Sequence, residues 1–200
     1  RARIHELVAL GYQVVTVDGR GSGNRRRAFK RALGCGLGSV EVDDQVHALR
    51  HLARRGLLRL GQVIVYGSSY GGFLSLVCLA KRPDVFAGAA AFAPVIRWEA
   101  YDTAYTERYL GIPVTDAQRK LYAFSGVLPW ANRFPDEPGR LYLAHGLMDE
   151  NVHFGQTTAL LDRLIEYQKP YELVLLPQSR HGTRDWKDYL YRELRFLQWI

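Results

Sequence analysis

The pentapeptide Gly67-Ser-Ser-Tyr-Gly71 has the residue types and spacing of a nucleophilic serine turn. In a G-x-S-x-G turn between a strand and a helix, the serine adopts a strained backbone that lifts its hydroxyl clear of the sheet. The flanking residues are glycines because side chains there would collide with the neighbouring strand and helix. The backbone N–H of Tyr70 then faces a developing oxyanion from the helix N-terminus. We therefore predict Ser69 as the nucleophile and Tyr70 as an oxyanion donor, with a purely structural turn as the alternative.

A serine hydroxyl is a weak nucleophile unless a base removes its proton. This kind of turn predicts the chain order Ser, Asp, His, each residue following a strand. Asp149 follows the apolar run 141–144, and His181 follows the run 171–176. We predict that Asp149 orients the His181 ring, which accepts the Ser69 proton and later returns it to the leaving amine. Glu150 is the second choice for the acidic member.

The other histidines and acids give no metal spacing. His47 and His51 stand four residues apart on a predicted helix, but a third ligand and an H-E-x-x-H frame are both missing. His145 ends a strand before a glycine, so we expect it to be buried, and His153 is expected to start the next helix. No metal site is predicted.

No cofactor is predicted either. Cys35 and Cys78 have neither metal nor redox spacing, and so low a cysteine count suits a reducing compartment. The run 18–23, Asp-Gly-Arg-Gly-Ser-Gly, resembles a dinucleotide loop, but G-x-G-x-x-G would need a glycine where Asn24 stands.

Strand-like and helix-like patterns alternate along the chain and position these residues. Strands are predicted at 12–17, 62–66, 87–95, 141–144 and 171–176, and helices at 41–55, 71–81, around 160–165 and 185–199. This alternation predicts an α/β fold, a mostly parallel sheet with helices on both faces. The irregular stretch 96–139 is longer than most connections, and we expect it to cap the site.

Composition excludes several classes of protein. The chain has 200 residues, 48% hydrophobic and 24% charged, which suits one globular domain and not a disordered or fibrous chain. No apolar run approaches the roughly 20 residues that cross a bilayer, so no membrane span is predicted.

The net charge of +7 is concentrated in residues 1–31, which hold eight basic and two acidic residues. The segment 25–31 is predicted to be a solvated surface loop, because it has little aromatic interleaving. Nucleic acid is therefore not an expected partner, and binding through this loop remains an alternative.

Longer motifs resemble the dipeptidyl peptidase IV family, within the prolyl oligopeptidase group of serine peptidases. The stretch 98–109, Trp-Glu-Ala-Tyr-Asp-Thr-Ala-Tyr-Thr-Glu-Arg-Tyr, is similar to that family's W-x-x-Y-D-x-x-Y-T-E-R-Y. The run 149–154, Asp-Glu-Asn-Val-His-Phe, is similar to its D-[DE]-N-V-H-F, and residues 18–22 and 38–45 also fit. The resemblance covers nearly the whole chain. Residues 70–76 are more similar to the cytosolic members of the family, which implies a cytoplasmic protein.

The resemblance implies an α/β-hydrolase catalytic domain that releases N-terminal dipeptides with proline or alanine in second position. Ser69, Asp149 and His181 would form the triad, and Asn151 would hold a substrate carbonyl. An apolar pocket for the proline ring would be walled by Tyr70, Val95, Trp98, Tyr101, Tyr105 and Val152. A flat aromatic box suits a pyrrolidine ring; without the motif, these tyrosines would be interpreted as core. The partner would be a peptide with a free N-terminus, and the parent protein would be a homodimer.

The chain departs from the family pattern in three ways. Ser68 stands where the family usually has tryptophan. The family's second oxyanion donor, a tyrosine, and its β-propeller with the amine-binding glutamates belong to segments before Arg1. The only methionine is Met148, so we expect residues 1–200 to be a single, N-terminally truncated catalytic domain of a longer parent.

Because one oxyanion donor contributes about 10²–10³ in rate, the isolated domain is expected to be a weak enzyme. The alternatives are an acylaminoacyl peptidase, an oligopeptidase or an esterase of the same group, and a noncatalytic homologue.

Overall fold

A computed structural model of the chain describes residues 2–23, 25–34, 36–183 and 185–200. Its sheet has four parallel strands in chain order, β1 (Val63–Ser68), β2 (Phe86–Phe92), β3 (Leu141–Gly146) and β4 (Glu172–Leu176). The predicted parallel α/β architecture is confirmed, and it is consistent with an α/β-hydrolase fold. Because all strands run in one direction, the residues that follow them lie along one edge of the sheet.

Helices connect and cover these strands. The described residues form α1 (Ala2–Ala9), α2 (Arg27–Arg31), α3 (Val40–Arg54), α4 (Tyr70–Lys81), α5 (Thr103–Leu110), α6 (Asp116–Ser125), α7 (Gly155–Glu166) and α8 (Trp186–Trp199). Short 3₁₀ helices span Trp98–Ala100 and Leu128–Arg133. The stretch 96–139 is therefore a series of short helical pieces, as its mixed pattern indicates.

The sheet has a hydrophobic core on each face, because successive side chains of a strand point in opposite directions. Leu141 and Leu143 of β3 belong to the cluster that contains α3, α4 and α7. Tyr142, between them, belongs to the opposite cluster with Phe92 and Phe196 of α8. Leu7 of α1 completes this second core.

The predicted strand at 12–17 is wrong. These residues form no strand in the described part of the chain, and a cleft of about 500 Å³ separates residues 12–15 from β1. The segment is held instead by the Tyr12 N–H, which donates to the Leu7 carbonyl at 3.0 Å, and by the Gln45 side-chain amide, which donates to the Val17 carbonyl at 3.3 Å. An apolar β-branched run becomes a strand only where a partner edge lies within hydrogen-bond distance.

The basic segment 25–31 is only partly a loop, because Arg27–Arg31 form the helix α2. Its basic side chains are exposed, as the prediction of a solvated surface requires. Asn24 and Cys35 lie outside the described residues. Within the described residues, no helix is both long and apolar enough to cross a bilayer.

Candidate active site at the carboxyl edge of the sheet

Ser69 lies in a strained turn between β1 and α4. Its backbone has φ 58° and ψ −117°, a conformation that residues with a side chain rarely adopt. The Ser69 N–H donates to the Phe92 carbonyl at 2.9 Å, which fixes the turn against the end of β2. Strand, strained serine and helix thus follow one another as the G-x-S-x-G spacing predicts.

The glycines around Ser69 have different roles. A Cβ at Gly67 would lie 2.4 Å from the backbone of Gly71, so no larger residue fits there. The predicted collision is wrong for Gly71, where an added Cβ would meet nothing within 4 Å. Gly72 is the tighter helical position, with Pro94 Cβ at 3.1 Å.

Tyr70 is the first residue of α4, so its N–H has no acceptor within the helix. This free donor directly follows Ser69. An N–H at this position is what the prediction of an oxyanion donor requires.

Asp149 is buried and fully hydrogen bonded. Its Oδ1 accepts from the N–H groups of Asn151 and Val152 at 2.9 and 2.8 Å, and its Oδ2 accepts from His181 Nδ1 at 2.9 Å. Burial alone would raise the pKa of Asp149, but the hydrogen bonds from His145, His181 and Asn151 outweigh it and hold the pKa well below its usual range. Asp149 is therefore an anion that orients the His181 ring.

The loops that carry Asp149 and His181 are in direct contact. A Cβ on Gly146 would lie 2.2 Å from the Ser179 carbonyl oxygen. The Met148 N–H donates to the same carbonyl at 3.1 Å. The close backbone approach at Gly146 thus brings together Asp149 and His181, which are 32 positions apart in sequence.

His181 donates through Nδ1 to the Asp149 carboxylate, which leaves Nε2 for a substrate or nucleophile. The hydrogen bond to Asp149 raises the pKa of His181, although partial burial opposes it. Ser69 follows β1 and His181 follows β4, so both lie beyond the carboxyl ends of the parallel strands. Within the described residues, no hydrogen bond joins the two side chains. The geometry therefore joins His181 to Asp149, whereas Ser69 lies in a separate strained turn.

Glu150 contacts the backbone of the histidine loop and not the imidazole ring. Its Oε2 accepts weakly from the His181 N–H at 3.4 Å and lies 3.7 Å from Arg180 Nε. Glu150 therefore does not replace Asp149 as the ring's partner.

His145 is buried beneath Asp149, as its place before Gly146 predicts. Its Nε2 lies 2.8 Å from the Val152 carbonyl and 3.2 Å from Asp149 Oδ2, and its Nδ1 lies 2.7 Å from Thr157 Oγ1. These contacts connect β3, the Asp149 loop and α7.

The predicted aromatic box is assembled around Trp98. The Tyr105 ring stacks on Trp98 at 6.0 Å and 12°, and Tyr101 meets Trp98 edge-on at 6.0 Å. The Tyr70 ring lies 5.8 Å from Trp98, and the Tyr101 hydroxyl donates to Asn151 Oδ1 at 3.0 Å. Three of the tyrosines are packed closely enough to raise their pKa, that of Tyr105 to about 12 through burial.

Val95 and Val152, the remaining predicted pocket residues, are buried in the same hydrophobic cluster as Trp98. Their side chains are therefore part of the core that supports the box.

Gln156 of α7 is a contributor to the site that sequence reasoning missed. Its Oε1 accepts from the N–H groups of Ile96 and Arg97 at 2.7 and 2.8 Å, and its Nε2 donates to the Ala100 carbonyl at 3.1 Å. It thereby fixes the turn that carries Trp98. No motif marks a buried glutamine on an amphipathic helix.

The part of the chain that the structure describes contains no group of three or more His, Cys, Asp or Glu side chains that could hold a metal ion.

The sequence model of the prolyl oligopeptidase family matches residues 1–200. The chain belongs to this family. It is 45% identical to dipeptidyl peptidase 8 of Homo sapiens over 199 residues, which are 99% of this chain and 22% of that protein. It is 39% identical to dipeptidyl peptidase family member 1 of Caenorhabditis elegans, over 90% of this chain and 22% of that protein.

A third relative, dipeptidyl peptidase 4 of Sus scrofa, is 34% identical over 84% of this chain and 22% of that protein. The chain thus spans about a fifth of the length of these curated relatives. The predicted resemblance is confirmed at the level of the family.

Proposed function

We propose that residues 1–200 form a single catalytic domain of a serine dipeptidyl peptidase, which cleaves after proline or alanine in second position. The observation that carries this proposal is the Asp149–His181 hydrogen bond of 2.9 Å at the sheet edge that also bears the strained Ser69. The names of the relatives, all dipeptidyl peptidases, support the reaction class.

In the proposed reaction, Ser69 Oγ attacks the carbonyl carbon of the second substrate residue while His181 Nε2 takes its proton. The Tyr70 N–H donates to the resulting oxyanion, and Asp149 stabilises the imidazolium. His181 then gives the proton to the leaving amine as the C–N bond breaks. Water hydrolyses the acyl-enzyme by the same steps in reverse, releasing the dipeptide.

The aromatic box provides the specificity. The partly exposed rings of Tyr70, Tyr101 and Tyr105, which pack on the buried Trp98, present flat apolar surfaces to a proline ring, which has no N–H that needs an acceptor. Asn151 is held by Tyr101, and its amide is available for a substrate carbonyl.

The central test is Ser69→Ala in the full-length protein, with Ser68→Ala as the matched control because Ser68 is an exposed neighbour. We expect Ser69→Ala to lower turnover of a Gly-Pro reporter at least about 10³-fold and to abolish labelling by a fluorophosphonate, because only an activated serine reacts. Ser68→Ala should retain both. Labelled protein with Ser69 replaced would contradict the proposal.

The same assay separates the alternatives. Turnover of an acetyl-Ala or short-ester reporter without Gly-Pro cleavage would identify another peptidase of the group or an esterase. A wild-type protein that a fluorophosphonate does not label would be a noncatalytic homologue.

A further inference from the structure

Glu41 is a buried carboxylate that the proposed reaction does not use. It lies in the first turn of α3 with 6% of its surface exposed. Its Oε1 accepts from the Tyr70 hydroxyl at 2.5 Å and from the Gly38 N–H at 3.2 Å, and its Oε2 accepts from the Ser39 N–H at 3.2 Å. A buried carboxylate needs such donors, because its desolvation is otherwise costly.

These contacts join two helix starts. The Gly38 carbonyl accepts from Lys81 Nζ at 2.8 Å, at the opposite end of α4 from Tyr70. The loop before α3 is thus held by α4, and Glu41 reaches from the first turn of α3 to the residue after Ser69. Its carboxylate is fixed by main-chain donors independently of Tyr70.

The donor of the hydrogen bond to Glu41 Oε1 is Tyr70, a residue with two functions in the proposed site. The Tyr70 ring packs against Trp98 and Phe73, with centroids 5.8 and 5.5 Å apart, and its N–H is the oxyanion donor. Burial first, and then the negative charge of Glu41, raise the pKa of the Tyr70 phenol far above its usual value. The phenol therefore stays protonated and donates to Glu41.

We propose that Glu41 is a positioning residue that acts through the Tyr70 hydroxyl and orients the Tyr70 ring as a wall of the pocket for the substrate's second residue. This inference rests on the proposed function, since it concerns the same pocket. If Glu41 only accepted from the Gly38 and Ser39 N–H groups, it would stabilise the loop without affecting the choice of substrate. The proposed role through Tyr70 does affect that choice.

A double-mutant cycle of Glu41→Gln and Tyr70→Phe in the full-length protein tests this pathway. A hydrogen bond to a charged group is strong enough for each single change to lower kcat/KM on Gly-Pro about tenfold. The loss on Gly-Ala should be smaller, because alanine fills less of the pocket. The double variant should resemble the single variants, since Glu41→Gln removes the charge of the acceptor and Tyr70→Phe removes the donor of one and the same hydrogen bond.

Tyr70→Phe keeps the ring and leaves the Gly38 and Ser39 donors on Glu41, so it also tests the inference without disturbing the loop. Asp43→Asn is the charge control, because Asp43 lies exposed in the same helical turn and should retain wild-type selectivity. Independent losses that multiply to about a hundredfold, or wild-type kinetics for Tyr70→Phe, would overturn the role of Glu41.

These outcomes differ from a failure of the proposed function. In that case the wild-type protein would not cleave Gly-Pro at all, whereas here it cleaves and only the coupling between positions 41 and 70 is lost.

Discussion

The Asp149 carboxylate determines the charge state in which His181 can act. The imidazole must be neutral to accept the serine proton, and its hydrogen bond to Asp149 raises its pKa above the ordinary value of 6.5. Activity should therefore fall as the pH drops through this raised pKa. The acid limb of the pH profile reports the pKa of His181.

Replacing Asp149 with asparagine should move that limb to lower pH, because the main cause of the raised pKa is removed. The rate should also fall up to about 10⁴-fold, since an amide no longer selects the tautomer with the proton on Nδ1. The measurement is kcat/KM on Gly-Pro across the pH range. Glu150→Gln is the control, and should shift the limb slightly in the same direction because Glu150 raises the pKa of His181 only through space. An acid limb that Asp149→Asn leaves in place would assign it to another group.

At the scale of elements, the turn between β1 and α4 depends more on Gly67 than on Gly71. The Gly67→Ala change inserts a Cβ 2.4 Å from the Gly71 backbone, which cannot move without displacing α4. We expect it to lower the free energy of unfolding by about 1–3 kcal/mol or more, and to reduce fluorophosphonate labelling of Ser69.

The Gly71→Ala change is the matched control, because it adds the same methyl group inside the helix where nothing lies within 4 Å. It should be neutral or stabilise the protein by up to about 1 kcal/mol through helix propensity. Urea denaturation compares the two variants. Equal losses of unfolding free energy would mean that the sequence motif, and not the local clash at position 67, determines the destabilisation.

The central strands β2 and β3 could be predicted from sequence because both of their faces are buried. A strand buried on both faces is mostly apolar, and such a run stands out in the sequence. The run 12–17 has the same residue types, but its structure depends on a neighbour that composition does not reveal. The short helix α1 was missed because eight residues with three charged or titratable side chains give little periodic signal.

Within the site, residues marked by a motif could be predicted and residues that support them could not. Ser69, Asp149 and His181 each follow a strand, so parallel topology places all three beyond the carboxyl ends of the strands. Glu41 reaches the site through the Tyr70 hydroxyl, and Gln156 reaches it through the N–H groups of Ile96 and Arg97. Sequence does not specify these contacts because they depend on how helices pack.

At the scale of the whole molecule, the second core fixes the histidine loop. His181 lies between β4 and α8, and the Ser179 hydroxyl donates to Asp188 Oδ2 of α8 at 2.7 Å. The helix itself is anchored by Phe196, which packs on Phe92 and Tyr142 with centroids 5.6 and 6.1 Å apart. The position of the imidazole therefore depends on packing on the face of the sheet opposite α4.

Phe196→Ala should accordingly weaken both the fold and the site. Removing a fully buried phenylalanine costs about 3–5 kcal/mol, a large part of the roughly 5–15 kcal/mol that stabilises a typical domain. The same change at Phe124, which is 46% exposed on α6, should cost about 1 kcal/mol or less, because less surface leaves contact. Urea denaturation and the Gly-Pro reporter compare the two variants. Equal effects of the two substitutions on stability and turnover would mean that the histidine loop does not depend on the second core. A loss of stability and turnover in Phe196→Ala alone would mean that α8 holds His181 where Asp149 can orient it.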